Sequence, residues 1–483
     1  MERPQRTQNL KRLSALATLS LLPGISAAHS FGVIYTLPVP FWLYAWAAAA
    51  TLVLSFLVVG LFASHPIGDE AQTSHERHIH HLPPGLLWGL KAASLAAWLL
   101  CIACGLWGTA NPYGNFNMTF FWVVFVLGFT YLTALVGDLY SRINPFATLA
   151  QPLHRAQPRL PYPAALGYTP ALLFYAAFIW LELFGGGAPR TLSWAMLGYT
   201  ACTLIGIYCF GMQTWLRYGE FFGVMLRLIA RMAPIEFIDD HSARFRWRWP
   251  FSGLRQTSRS HWTLLLFVLF MLASTAFDGL HEAKVWVELY WGTLYRNVFS
   301  QWWGHNPSAA FPKLRELYLQ WQTGWLLLAP WLYLAFYLGG IALMRALLPR
   351  PHAVRTLAVA FMPSLLPIVL VYHITHYYTL LETQGLRVIA LASDPLGRGW
   401  DLFGTATWFR RVFVPDTAVV WHVQVALILL GHIVSVYIAH LIALDLFRSR
   451  RTATLSQLPM LGLMVAFTVA GLWILSQPIK SAP

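Results

Sequence analysis

Hydrophobic residues in this chain run in blocks of about twenty, separated by shorter polar stretches, which is the length a helix needs to cross a bilayer. The pattern predicts spans over 41–62, 85–108, 118–138, 166–184, 191–212, 261–280, 324–346, 355–381, 418–443 and 456–476. Ahead of them, residues 1–28 combine a basic start (Arg3, Arg6, Lys11, Arg12), an apolar run from Leu13 to Ile25, and small residues at Ser26 and Ala28. That is the pattern of a cleavable signal peptide, and cleavage after Ala28 leaves His29 as the mature N-terminus. The expected fold class is all-α: a polytopic membrane helical bundle of about ten transmembrane helices after signal removal. Residues 29–483 then form one membrane domain, with a basic inner loop 213–260 and long outer loops 281–323 and 382–417.

Composition supports the class. Of 483 residues, 57% are hydrophobic and 11% charged, and soluble domains carry about twice that charge. The net charge of +14 would suggest nucleic acid in a soluble protein; here no nucleic-acid partner is expected, because the arginines sort by loop. Segments 139–164, 213–260, 345–355 and 444–453 hold Arg142, Arg155, Arg159, eight arginines of the long loop, Arg345, Arg350, Arg355, Arg448, Arg450 and Arg451, whereas 109–117 has no basic residue. Basic loops stay inside, so both mature termini are expected outside. Within the long loop, Trp215–Met232 mixes apolar residues with Arg217, Arg227 and Arg231 and suits a helix lying in the interface. Arg244, Arg246 and Arg248 alternate with Phe245 and Trp247, which suits lipid headgroups. Protein partners are not legible. Cys101 and Cys104 form a CxxC inside an apolar helix, where packing explains them better than redox work.

Candidate chemistry concentrates in 355–443, where two apolar segments hold five histidines. His373 and His376 are three apart and share a helix face; His422, His432 and His440 follow on the next span. Ionisable groups at membrane depth are costly and usually functional. His373, His376 and His432 are therefore the expected ligands of a divalent transition metal, zinc or copper, with Asp278 as fourth ligand or general base. His29, His281 and His422 are possible additional ligands, and Tyr372, Tyr377, Gln424 and Asp401 are expected supports around them. Hydrogen bonding to neighbouring helices or interfacial solvation accounts for some of these residues equally well, His440 and Asp278 among them. The histidines at 75, 78, 80 and 81 read as a solvated polar loop.

Several stretches carry a resemblance: His29-Ser-Phe-Gly with Leu37-Pro-Val-Pro40, Gly137-Asp-Leu-Tyr-Ser-Arg-Ile-Asn-Pro145, and Arg231-Met-Ala-Pro234. So do Tyr372-His-Ile-Thr-His-Tyr377, Ser393-Asp-Pro395, Trp400-Asp-Leu-Phe-Gly-Thr-Ala406, Val423-Gln-Val-Ala, Gly431-His432 and Ala439-His440. Together they resemble a family of bacterial integral membrane proteins described as fenitrothion hydrolase-like, from His29 to about Phe447; His422 stands where that pattern has Tyr. The resemblance implies a multi-pass protein of the bacterial inner (cytoplasmic) membrane. It also implies cleavage of small apolar aryl organophosphate triesters to a nitrophenol, and it supplies no catalytic residues. A metal would activate water and stabilise phosphoryl charge in that reaction, at a pocket facing the periplasmic side. The alternatives are a membrane oxidoreductase holding haem or copper on the same histidines, and, ranked third, a metal or small-molecule transporter.

Overall fold

The computed structural model describes residues 40–62, 79–153, 158–238, 244–255, 261–349, 352–409, 415–447 and 449–477. The expected signal segment and His29 lie outside them, as do His75 and His78. Among the described residues, ten helices are long and apolar enough to cross a membrane: α1 (Phe41–Phe62), α2 (Pro84–Trp107), α3 (Phe116–Val136), α4 (Ala164–Phe184), α5 (Pro189–Phe210), α6 (Trp262–His281), α7 (Pro307–Ala346), α8 (Val354–Gln384), α9 (Thr417–Leu446) and α10 (Arg450–Ser476). Each expected span corresponds to one of them. The protein is an all-α polytopic helical bundle, with one small sheet among the described residues.

Burial shows which helices are central. In α6, 83% of the most apolar stretch is buried inside the protein and in α8 78%, against 17% in α1, α2 and α10. α4 and α7 pack on α6, and α3 and α9 on α8; α2 pairs with α5, and α1 with α9 and α10. Helices α8 and α9 meet closely because Gly431 faces Val371: a Cβ there would lie 2.3 Å from a Val371 methyl. Pro363 and Pro367 remove two backbone donors, and the chain winds as a 3₁₀ turn over Met362–Leu365 inside α8.

Loop contacts separate the two ends of the bundle. At the arginine-rich end, β1 (His80–His81), between α1 and α2, pairs antiparallel with β3 (Arg244–Trp247), between α5 and α6. β3 also pairs with β2 (Ile235–Phe237), and Arg255 meets Asp445 at 3.2 Å. At the opposite end, Thr109 N donates to Leu396 O (2.9 Å), joining the α2–α3 and α8–α9 connections. There Ser393 Oγ accepts from Phe403 N and Thr405 N, and Asp401 caps Ala406 N at 2.9 Å, so the Ser-Asp-Pro and Trp-Asp-Leu-Phe-Gly-Thr-Ala stretches fold onto each other. This sorting is what an alternating ten-helix path requires.

Two expectations change. Residues 281–323 are largely helical: α7 begins at Pro307, capped by Asn306, and runs 40 residues, about 60 Å. Its first turns pack through Leu314, Leu317 and Tyr318 against Trp291 and Tyr290, so the stretch before residue 324 is helical without being apolar enough to read as a span. Residues 212–230 do not form an interfacial helix. They make a helical hairpin, Met212–Tyr218 and Phe221–Ala230, folded back into the bundle.

Packing forces the hairpin inward. Gly206 of α5 lets Trp215 lie against the backbone, since a Cβ would sit 2.1 Å from the indole. Phe222 at the tip touches Trp98, Phe121, Phe125 and Phe178, all well inside α2, α3 and α4. Every residue of 221–230 except Arg227 is buried. Arg227 ties the limbs, donating to Leu216 O (3.0 Å) and Arg217 O (2.6 Å). Such a re-entrant turn is tolerated at membrane depth only when its backbone groups are satisfied within the protein.

Candidate functional site

The last turns of α4 and α6 and the outer half of α8 bring four ionisable side chains together. Asp278, three residues from the end of α6, is 2% exposed. Its Oδ2 lies 2.8 Å from His376 Nε2 and accepts from the Tyr377 hydroxyl at 2.7 Å. Glu182 of α4 lines the same small cavity as Asp278 and Tyr377, and its charge acts on Asp278 and His376. Two carboxylates, an imidazole and a phenol thus share one site, Asp278 and Tyr377 buried and Glu182 and His376 half-buried. At the rim, His281 Nδ1 lies 2.7 Å from the Asp278 carbonyl and 3.8 Å from its Oδ1, and Glu282 contributes a further negative charge toward His376.

Helix geometry explains the set. His376 and Tyr377 are adjacent, about 100° apart around α8, and both reach α6 because Asp278 sits opposite the groove between them. His373, one turn earlier, is rotated by about 60° from His376. It stacks edge-on with Tyr131 of α3 (5.7 Å) and lies 5.0 Å from the Tyr377 ring. Beside the network is a cavity of about 20 Å³ lined by Tyr175, Glu182, Ser274, Asp278, His373 and Tyr377, with Met225 of the hairpin closing one wall. That is room for about one water molecule.

The other expected site residues lie elsewhere. His432 hydrogen-bonds through Nδ1 to Ile428 O (2.7 Å) and packs edge-on against Tyr372. It faces a separate, mostly apolar cavity of about 60 Å³ with Tyr333, Tyr337, Met460 and Phe467. The close contact of Gly431 with Val371 turns the next residue, His432, to the far side of α8. Tyr372 donates to Phe467 O (3.3 Å), Gln424 to Thr375 O (2.8 Å), and Asp401 belongs to the folded loop: all three tie elements together. His422 is exposed and bonds to Ala418 O, while buried His440 meets Gln457 at the arginine-rich end. Among the described residues, no group of three or more His, Cys, Asp or Glu side chains is arranged to hold a metal ion.

Glu182 was not among the expected residues, yet a carboxylate inside the fourth apolar block is a legible signal, since such a charge is expensive unless used. Glu220 is a second addition. Fully buried at the hairpin tip, it accepts from Tyr199 Oη (2.8 Å), Asn144 Nδ2 (3.2 Å), Phe222 N (3.1 Å) and Gly223 N (2.8 Å), and Tyr140 Oη lies 3.4 Å away. It caps the helix Phe221–Ala230, whose N-terminal dipole favours negative charge.

Beneath the hairpin, at the arginine-rich end, opens a vestibule of about 860 Å³. Lys91, Arg142, Arg217, Arg227, Arg231 and Arg248 line it, against only Asp138 and Glu236. Val224 and Leu228 belong to its wall, whereas Met225 faces the small cavity by Asp278. One helix, Phe221–Ala230, therefore separates the two spaces.

Fold and site together define a polytopic helical membrane protein with a buried carboxylate, imidazole and phenol network and a basic vestibule on the other side of a re-entrant hairpin. No protein-family model, curated protein or solved structure matches the chain.

Proposed function

We propose that the protein is a proton-coupled membrane carrier, with Glu182, Asp278, His376 and Tyr377 as its proton-handling site. The observation that carries this reading is the hydrogen bonding of Asp278: its Oδ2 meets His376, an imidazole able to gain or lose a proton, and is held in place by the Tyr377 hydroxyl. A proton taken up by His376 can be shared with Asp278, with Glu182 on the same cavity as a second acceptor, so the charge of the network can change without moving Asp278 out of the protein. The site sits near one end of the bundle and the vestibule opens at the other, with the hairpin helix between them, as a carrier loaded from alternate sides would need. On the arginine bias of the loops, the vestibule faces the cytoplasm and the network the outside.

A hydrolase reading retains one specific observation. His376 paired with Asp278 beside a one-water cavity is an arrangement that can activate water, in keeping with the resemblance to fenitrothion hydrolase-like proteins. An aryl triester does not fit in about 20 Å³, so that reading requires the helices to part.

Reconstitution distinguishes the two. Proteoliposomes enclosing a pH-sensitive dye and phenyl phosphate should take up protons under an inside-negative potential faster than protein-free liposomes, and Asp278→Asn should remove the difference. Protein-dependent release of nitrophenol from an aryl phosphotriester, lost in Asp278→Asn and His376→Ala and unaccompanied by proton entry, would put the hydrolase in the carrier's place.

A further inference from the structure

The vestibule has a chemistry the proton network does not use. Six basic side chains face about 860 Å³ that only two carboxylates share, and those two are engaged. Asp138 accepts from Ser141 N and Oγ; Glu236 pairs with Arg246 (2.8 Å) and Arg248 (3.4 Å). Arg248 also donates to Ala230 O and Ala233 O, and Arg227 to the first limb of the hairpin, so these two guanidiniums are fixed. Arg231 differs. Partly buried at the C-terminal end of the hairpin helix, it lies beside Arg227 and Tyr168, and among the described residues no carboxylate pairs with it. Burial foremost, and then Arg227, holds its guanidinium below the usual range, opposed by Tyr168. A guanidinium kept in a cavity among like charges is stabilised by an anion, and its planar fork suits an oxyanion.

The walls add a second requirement. Leu87, Met212, Leu216, Val224, Leu228 and Leu264 supply an apolar surface beside the cations. We infer that the vestibule binds an organic oxyanion, its charged head on Arg231 with Arg217 and Arg142 near it, and its apolar body against the hairpin and α2. Binding stands independently of proton coupling; that this anion is the transported substrate rests on the carrier reading. The same chemistry is offered by a free aryl or alkyl phosphate and by the headgroup of an anionic phospholipid, and the vestibule has volume for the first whole or for the head of the second.

The test uses the full chain in phosphatidylcholine nanodiscs, reading the thermal unfolding midpoint, because a ligand bound by the folded state raises it with concentration. Phenyl phosphate should raise the midpoint in a saturable way, phenol should not, and Arg231→Gln should weaken the apparent affinity at least about tenfold, a loss of one charged hydrogen-bonded contact. Arg217→Gln, at an exposed position, gives the same readout if Arg231→Gln does not fold, and Lys313→Gln at the opposite end should leave binding unchanged. If phenyl phosphate is inert but phosphatidylglycerol in the disc raises the midpoint with the same arginine dependence, the oxyanion is a lipid headgroup. The inference is overturned if neither raises it, if sodium chloride at equal ionic strength does as much, or if the arginine variants respond like wild type. Should Asp278→Asn still abolish proton uptake in that case, the carrier reading survives without this site.

Discussion

Asp278 and Glu220 are both fully buried carboxylates in an apolar bundle, and they differ in what surrounds them. Glu220 is held by two backbone amides, an asparagine and two tyrosines at a helix N-terminus. Donors of that kind stay in place, so the charge is fixed and its role is to hold the hairpin tip inside the bundle. Asp278 is held by His376 and Tyr377 with a second carboxylate nearby. The imidazole exchanges protons where amides and phenols do not, and the charge can move. The lesson is that burial alone does not identify a chemical site; the titratability of the partners does.

This contrast sets the order of expected effects. Asp278→Asn removes the proton acceptor while keeping shape, and should lower proton uptake at least about a hundredfold, the usual scale for a lost acid–base group, at near-normal thermal stability. Equal loss of stability and activity would place Asp278 in the same structural class as Glu220. Glu220→Ala should act the other way, destabilising by about 2–4 kcal/mol through the lost cap and orphaned donors, read as a lowered unfolding midpoint at reduced expression. Glu220→Gln, which keeps the acceptor oxygen, should recover part of that. Tyr377→Phe removes one hydrogen bond to a charged group and should slow proton uptake roughly tenfold without abolishing it. The smallest effects belong to His422→Ala and His432→Ala, which lie outside the network: uptake should stay within about twofold for both, and only loss of buried His432 should destabilise the fold, by about 1–2 kcal/mol, read as a lowered unfolding midpoint. A metal-dependent loss of activity in His432→Ala equal to that in His376→Ala would restore the shared ligand set expected from the sequence.

The ten helices are legible in the sequence because a twenty-residue apolar block has few alternatives. Asp278 and His376 are also legible, as costly groups at corresponding depths of two apolar blocks. Which face each histidine takes is not, since His432 depends on how closely Gly431 lets α9 approach α8. Arg227 and Arg231 make Trp215–Met232 resemble an interfacial helix; that those charges face an internal vestibule depends on Phe221 and Phe222 finding the aromatic side chains of α2, α3 and α4, a tertiary fact that periodicity does not carry. Glu182 and Glu220 show the two outcomes side by side: the first lies inside an apolar block and can be found there, the second sits in a basic loop where an acid draws no notice.

The most direct measurement of the central claim is an infrared pH titration of the membrane-reconstituted protein between about pH 5 and 8, the range in which histidine charge changes. A protonatable carboxyl band shared with an imidazole signal should appear in wild type, vanish in Asp278→Asn, shift in His376→Ala, and persist in Glu220→Gln. A band untouched by Asp278→Asn, or one removed by Glu220→Gln, would contradict the assignment of Asp278 as the group through which protons pass.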